Sequence, residues 1–319
     1  MNIYDEIYAN GIVPVIALDD ASKAAGLAHA LVKGGIYAAE VTFRTDAAKE
    51  VMQEMKKAEP ELCVGAGTVL TKANADAAKE AGAKFLVSPG LNPEIVRYAQ
   101  EIGVPMIPGT NNPSNIETAL SLGLTYVKFF PAEQSGGIKM IKAMAAPYGK
   151  VKFMPTGGIS LNNMMDYLSF DKIYAAGGSF MVTKKLLDEE NWDEITKLSK
   201  QAVDKMLDYR IVHVGINAAN ADEARSIAGL FSQSFGFANK EGDASIFSSD
   251  SIEIMKANGR GTNGHIAIGT KSVPRAMYRM EKAGVKFDES SSTRAADGHI
   301  NFIYLKGEMG GFAVHLKEV

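Results

Sequence analysis

Between residue 12 and about residue 207 the chain alternates two hydrophobic periods. Short apolar runs bounded by glycine, proline, threonine or charge read as buried strands, and the longer amphipathic stretches between them read as helices. The strands are predicted at 12–18, 38–43, 62–67, 84–88, 104–108, 125–130, 151–155 and 172–176. Helix-opening signals follow them. Asp19, Asp20 and Thr71 supply capping oxygens, and Asn92-Pro93 and Asn112-Pro113 put proline in a first turn, where its missing N–H costs nothing. Eight strand–helix units in about 200 residues predict a (β/α)8 TIM barrel over residues 1–207. A doubly wound sheet is the rival, but it carries a glycine fingerprint after its first strand, and here Leu18-Asp19-Asp20 stands there.

The pattern changes at Tyr209-Arg210. A strand at 210–217 and a helix at 222–234 precede strands at 244–247 and 251–256. A second copy follows: strand 265–269, helix 273–283, strands 299–305 and 311–316. Residues 208–319 therefore read as a smaller α+β domain of paired βαβββ modules.

Barrels carry their chemistry at the C-terminal strand ends. The sixth strand holds Lys128 inside the apolar run Tyr126–Phe130. Burial favours an uncharged amine, and a neutral amine attacks carbonyls to form Schiff bases. The bland alternative is a lysine that snorkels from an edge strand. On the second strand, alternation puts Glu40, Thr42 and Arg44 on one face. Arg44 suits a substrate carboxylate and Glu40 suits proton transfer. From alternation alone, a structural Glu40–Arg44 bridge is the stronger reading. Glycines end strands seven and eight at Gly157-Gly158 and Gly177-Gly178, each before a helix start, which suits a backbone cradle for phosphate; ordinary turn chemistry is the alternative, and two such pairs beside a buried lysine favour the cradle.

Composition narrows the setting. Of the 319 residues, 46% are hydrophobic and 22% charged, as in globular proteins generally. A net charge of −3 gives no electrostatic case for nucleic acid or an anionic membrane. Cys63 is the only cysteine, which suits a reducing compartment. Residues 1–11 include Asp5 and Glu6 and lack the apolar core of a signal peptide. No apolar run nears the roughly 20 residues of a membrane helix. The expected location is cytoplasmic.

Six motifs, one per strand and in order, carry a resemblance: EVTFRT at 40–45, GAGTVL at 65–70, SPGLNP at 88–93, KFFPAE at 128–133, PTGGIS at 155–160 and GGSF at 177–180. Together they resemble the 2-keto-3-deoxy-6-phosphogluconate aldolase / 4-hydroxy-2-oxoglutarate aldolase family. The resemblance implies a lyase, a class I aldolase that needs no cofactor, commonly a homotrimer. It cleaves such 2-keto acids to pyruvate and an aldehyde, glyceraldehyde 3-phosphate or glyoxylate. Lys128 would form the imine and Glu40 act as general acid and base. Arg44, Thr68 and Pro89 would surround the pyruvyl carboxylate, Phe130 pack beside the imine and Thr156 contact substrate. Gly157, Gly158, Gly178 and Ser179 would hold the distal phosphate or carboxylate. Two positions depart from the family: Phe180 stands where tryptophan is common, and Asn111-Asn112 follows strand five, where it can bond substrate hydroxyls.

The paired modules resemble the glyoxalase-type vicinal-oxygen-chelate fold, and GHIAIG at 264–269 matches its metal-ligand strand. The matching ligand positions are His213, Glu253, His265 and His315, where the last is usually glutamate. A divalent zinc, nickel, iron or manganese ion suits such donors. Against it stands a degenerate domain used for assembly. For the whole chain two other functions compete: a phosphate-binding barrel isomerase or synthase with no covalent step, and a scaffold or sensor dominated by the C-terminal domain.

Overall fold

Eight parallel strands close on themselves. The computed structural model describes residues 1–319 and divides into two units, Met1–Met206 and Leu207–Val319. In the first unit the strands are β1 (Ile12–Ile16), β2 (Ala38–Thr42), β3 (Cys63–Gly67), β4 (Leu86–Val87), β5 (Met106–Ile107), β6 (Gly109–Thr110), β7 (Tyr126–Phe129), β8 (Lys152–Pro155) and β9 (Ala176–Gly178). β5 and β6 are one barrel strand interrupted at Pro108, which has no N–H for the ladder. One sheet runs β5-β4-β3-β2-β1-β9 and another β6-β7-β8. Parallel bridges Phe153–Ile173 and Thr156–Gly177 join β8 to β9 and complete the ring. The predicted (β/α)8 barrel is thus the observed fold of this unit.

Predicted caps act where the sequence puts them. Thr71 accepts from the Asn74 N–H at 3.0 Å and Asn92 from that of Glu94 at 3.0 Å. Asp20 caps a single 3-10 turn, Ala21–Lys23, that leads into the helix Ala24–Lys33. One element was not foreseen. Ile3–Asn10 is a helix capped by Asn2. Its Ile7 enters the barrel core beside Val13, Phe85, Ile107 and Met154, and Tyr4 stacks on Tyr126 with ring centroids 4.1 Å apart. The helix covers the apolar end of the ring opposite the strands' C-termini, so the barrel is a packed core there.

The second unit is one mixed eight-stranded sheet. Its strands are β10 (Arg210–Asn217), β11 (Asn239–Glu241), β12 (Ser245–Ser248), β13 (Ile252–Met255), β14 (Gly264–Thr270), β15 (Phe287–Arg294), β16 (Ile300–Met309) and β17 (Phe312–Glu318). Helices Ala221–Phe235 and Val273–Lys282 follow β10 and β14. The order β11-β12-β13-β10-β14-β17-β16-β15 sets two βαβββ copies side by side, joined by antiparallel β10 and β14. β11 and β15 escaped the sequence reading because they are edge strands. Their sequences, NKE and FDESSSTR, are polar and lack the buried alternation that marks a strand.

Candidate functional site

Lys128 on β7 is 5% exposed and Glu40 on β2 is 1% exposed. These strands are not neighbours in the ladder; closure of the ring brings them face to face. Lys128 Nζ lies 3.1 and 3.3 Å from the two Glu40 oxygens. A snorkelling edge lysine is therefore not what the chain builds. The amine is also not alone in an apolar wall, as burial by itself would have it, because it is salt-bridged to the carboxylate. Glycine on β3 makes room for the pair: a Cβ on Gly67 would sit 2.2 Å from Glu40 Oε1. The Glu40–Arg44 bridge favoured by alternation does not form. Glu40 turns to Lys128, and Arg44 Nε donates to Thr42 Oγ1 at 3.1 Å.

Thr42 lay on the predicted face but carried no assigned role. It is buried, and its hydroxyl donates to the Ile16 carbonyl at 2.8 Å. Because a guanidinium can only donate, both bonds at this oxygen have a fixed direction. Thr42 thereby sets the orientation of Arg44 and leaves the terminal nitrogens of the fork for a carboxylate. Replacing Thr42 by Val removes a hydrogen bond to a charged group, worth about 1.5–3 kcal/mol. The expected result is a KM for a carboxylate-bearing substrate raised roughly 10- to 100-fold with kcat little changed, whereas Thr42→Ser, which keeps the hydroxyl, stays close to wild type. Steady-state kinetics of the two variants check this, and equal KM values for both would remove the assignment.

One cavity of about 360 Å³ gathers these groups at the C-terminal strand ends. Glu40, Arg44, Thr68, Pro89, Lys128 and Phe130 line it, as do Thr156, Gly157, Gly158, Gly178 and Ser179. Val15, Thr42 and Ile159 complete the wall. Val15 and Ile159 are apolar and gave the sequence reading no signal. Gly157 and Gly158 have φ of 100° and 79°, a conformation that side chains disfavour. Successive glycines of this kind turn backbone N–H groups toward an anion. The loop is braced by Glu133, whose N–H donates to the Gly157 carbonyl at 3.1 Å. The Tyr167 hydroxyl donates to the Glu133 carboxylate. Burial, reinforced by that carboxylate, raises the Tyr167 hydroxyl above the ordinary phenol range, so it remains a donor. Thr156 Oγ1 is buried with no hydrogen-bond partner.

Asn112 opens its helix as predicted, but Asn111 and Asn112 are not placed to bond substrate hydroxyls in the cavity. Asn112 Oδ1 caps the helix Pro113–Ser121 by accepting from the Asn115 N–H at 3.0 Å, and its amide donates to Asn111 Oδ1 at 3.0 Å. Neither lines the cavity.

A closed parallel barrel whose C-terminal mouth holds a buried lysine against a carboxylate defines the class: a lyase of the class I aldolase kind. The chain belongs to the family "KDPG and KHG aldolase", whose model matches residues 3–198. It is 50% identical over 193 residues to the 2-dehydro-3-deoxy-phosphogluconate aldolase of Haemophilus influenzae, covering 60% of this chain and 91% of that protein. It is 42% identical over 193 residues to the KHG/KDPG aldolase of Escherichia coli K12, again covering 60% and 91%. Among solved structures, it resembles the KDPG aldolase of Legionella pneumophila, with 36% identity and a TM-score of 0.61 over 62% of this chain and 97% of that one. That crystal structure holds pyruvate captured at low pH as a covalent carbinolamine.

The second unit contains a separate polar cluster. Its four central strands β13, β10, β14 and β17 carry Glu253, His213, His265 and His315. The Nε2 atoms of His213 and His265 lie 3.0 Å apart, and Glu253 Oε2 lies 3.2 Å from each. One ring nitrogen of His315 joins those of His213 and His265, all within 4.8 Å of one another. Gly215 leaves the space, since a Cβ there would stand 2.1 Å from the His265 ring.

The donor set fits a divalent cation. Neighbouring ligands at about 2.0–2.2 Å from a divalent ion stand roughly 3 Å apart, as His213, His265 and Glu253 do, and His315 lies within 4.8 Å of the other two histidines. Hydrogen bonds to His213 and His265, helped by Ser245, hold the Glu253 carboxyl well below the usual range, so it is anionic. Burial, with His265 and His213 nearby, pushes His315 down to about 4, which keeps its imidazole neutral and its lone pair available. His315 Nδ1 is buried without a hydrogen-bond partner.

Proposed function

We propose that the barrel cleaves 4-hydroxy-2-keto acids through an imine on Lys128, releasing pyruvate and an aldehyde. The observation that carries this is the buried Lys128–Glu40 pair inside the cavity lined by Arg44, Thr156 and the Gly157-Gly158 turn. Lys128 gives its proton to Glu40 and attacks the C2 carbonyl; Glu40 returns that proton to the carbinolamine hydroxyl, and loss of water leaves the protonated imine and an ionised Glu40. A carboxylate then takes the C4 hydroxyl proton as the C3–C4 bond breaks. The electron pair moves into the imine to form an enamine, and the aldehyde departs. Return of a proton to C3 and hydrolysis release pyruvate and regenerate the amine. Glu40 is the only carboxylate lining the cavity and takes the base role. Arg44, Thr68 and Pro89 hold the substrate carboxylate, while Phe130 packs at the amine, its ring centroid 5.5 Å from Lys128 Nζ.

At the far end the Gly157-Gly158 turn, with Gly178 and Ser179, supports a distal anion. Both 2-keto-3-deoxy-6-phosphogluconate and 4-hydroxy-2-oxoglutarate supply one, and comparing their kcat/KM values decides between them. The homotrimer implied by the resemblance and the cytoplasmic setting expected from composition belong to this proposal. Borohydride reduction in the presence of pyruvate tests its core. A stable adduct on Lys128 is expected; an isomerase or synthase without a covalent step yields none.

For the second unit we propose a glyoxalase-like domain holding one divalent cation on His213, Glu253, His265 and His315, which would supply a Lewis acid. The grouping of the three histidine nitrogens within 4.8 Å, with Glu253 at 3.2 Å from His213 and from His265, supports it. Protein purified without chelator is expected to contain about one equivalent of metal, and chelation to lower the melting temperature of this unit. Less than a tenth of an equivalent by elemental analysis, with no uptake of added Zn2+ or Co2+, contradicts it.

A further inference from the structure

The charge of this second cluster selects its ligand. With one divalent cation bound, as proposed above, three neutral imidazoles and one carboxylate leave one unit of positive charge. Glu253 is the carboxylate that bonds to the histidines. The second Glu253 oxygen accepts from Ser245 Oγ at 2.6 Å. Asp288 is taken by Arg260 at 2.7 Å, and that guanidinium lies over the Tyr304 ring, 4.5 Å from its centroid.

The surroundings are aromatic and low in polarity. The Phe302 and Tyr304 ring centroids lie 4.5 and 4.9 Å from that of His315, and Phe247 lies 5.6 Å from His213. A buried charge without a partner is costly in such a setting. We infer that the loaded cluster takes a small monoanion with a carboxylate head, and that His315 creates this preference by being neutral where a carboxylate would cancel the charge.

The inference rests on the metal reading, and the experiment separates the two. The full chain is loaded with Co2+, metal content is measured, and the visible spectrum is followed during titration with acetate or with acetamide, its neutral isostere. The expected result is one Co2+ per chain and at least a tenfold lower half-saturation for acetate. His315→Glu is expected to keep its Co2+ and lose that preference. His315→Gln, which leaves the charge unchanged, is expected to retain it. Equal response to acetate and acetamide in Co2+-loaded wild type overturns the inference while the metal reading stands, as does an acetate preference that survives in His315→Glu. If wild type takes up no Co2+, the metal reading fails, and with it the inference.

Discussion

Lys128→Met is expected to abolish the pyruvate–borohydride adduct and to lower kcat/KM on the order of 10⁴-fold or more, since the nucleophile has no substitute in the cavity. The same change acts on stability. Lys128 and Glu40 are both almost wholly buried, with side-chain exposures of 6% and 1%. Removing one partner of such a pair leaves the other uncompensated, at a cost of about 3–5 kcal/mol. A lower melting temperature of the barrel is therefore predicted for Lys128→Met. The double variant Lys128→Met/Glu40→Gln removes both charges and should regain much of that loss without regaining activity. Calorimetry and steady-state assays on the three proteins provide the check. Retention of more than a few per cent of activity in Lys128→Met would defeat the covalent mechanism, however the stabilities fall.

Glu40→Gln separates the carboxylate's part from the amine's. The isostere keeps volume and hydrogen-bonding reach but cannot accept a full proton. General acid–base catalysis is worth typically 10²–10⁴-fold, so kcat for cleavage should fall by about that factor. Exchange of the pyruvate methyl protons with solvent should fall in parallel, because it needs the same proton carrier acting on the enamine. Borohydride should still trap pyruvate on Lys128, more slowly. If exchange continues at the wild-type rate, another group carries the proton and Glu40 serves only to hold Lys128.

Much of the barrel site was legible because each motif sits at a strand end, and strand ends converge wherever parallel strands close. Lys128, Glu40 and the Gly157-Gly158 turn could be named without coordinates. Their partners could not. Alternation on β2 set Glu40 beside Arg44, yet the two act with different neighbours, Lys128 and Thr42. Asn112 offered the same local signal for capping and for substrate binding, and the chain uses it as a cap. In the second unit the histidines were named through the resemblance to the glyoxalase-type fold, whereas the polar edge strands β11 and β15 were not found, since nothing buried marks them.

The periods of the barrel segments from residue 12 on, most of their caps and the charged and glycine groups of the cavity can be read from the order of residues alone. These are local properties, set by burial pattern and backbone preference over a few residues. Which groups meet is settled by the folded barrel. Lys128 and Glu40 are 88 residues apart in the chain, and their 3.1 Å contact exists because the ring closes and because Gly67 leaves space for a carboxylate. Contacts of that kind depend on the shape of the whole packed barrel, which no short stretch of the chain encodes.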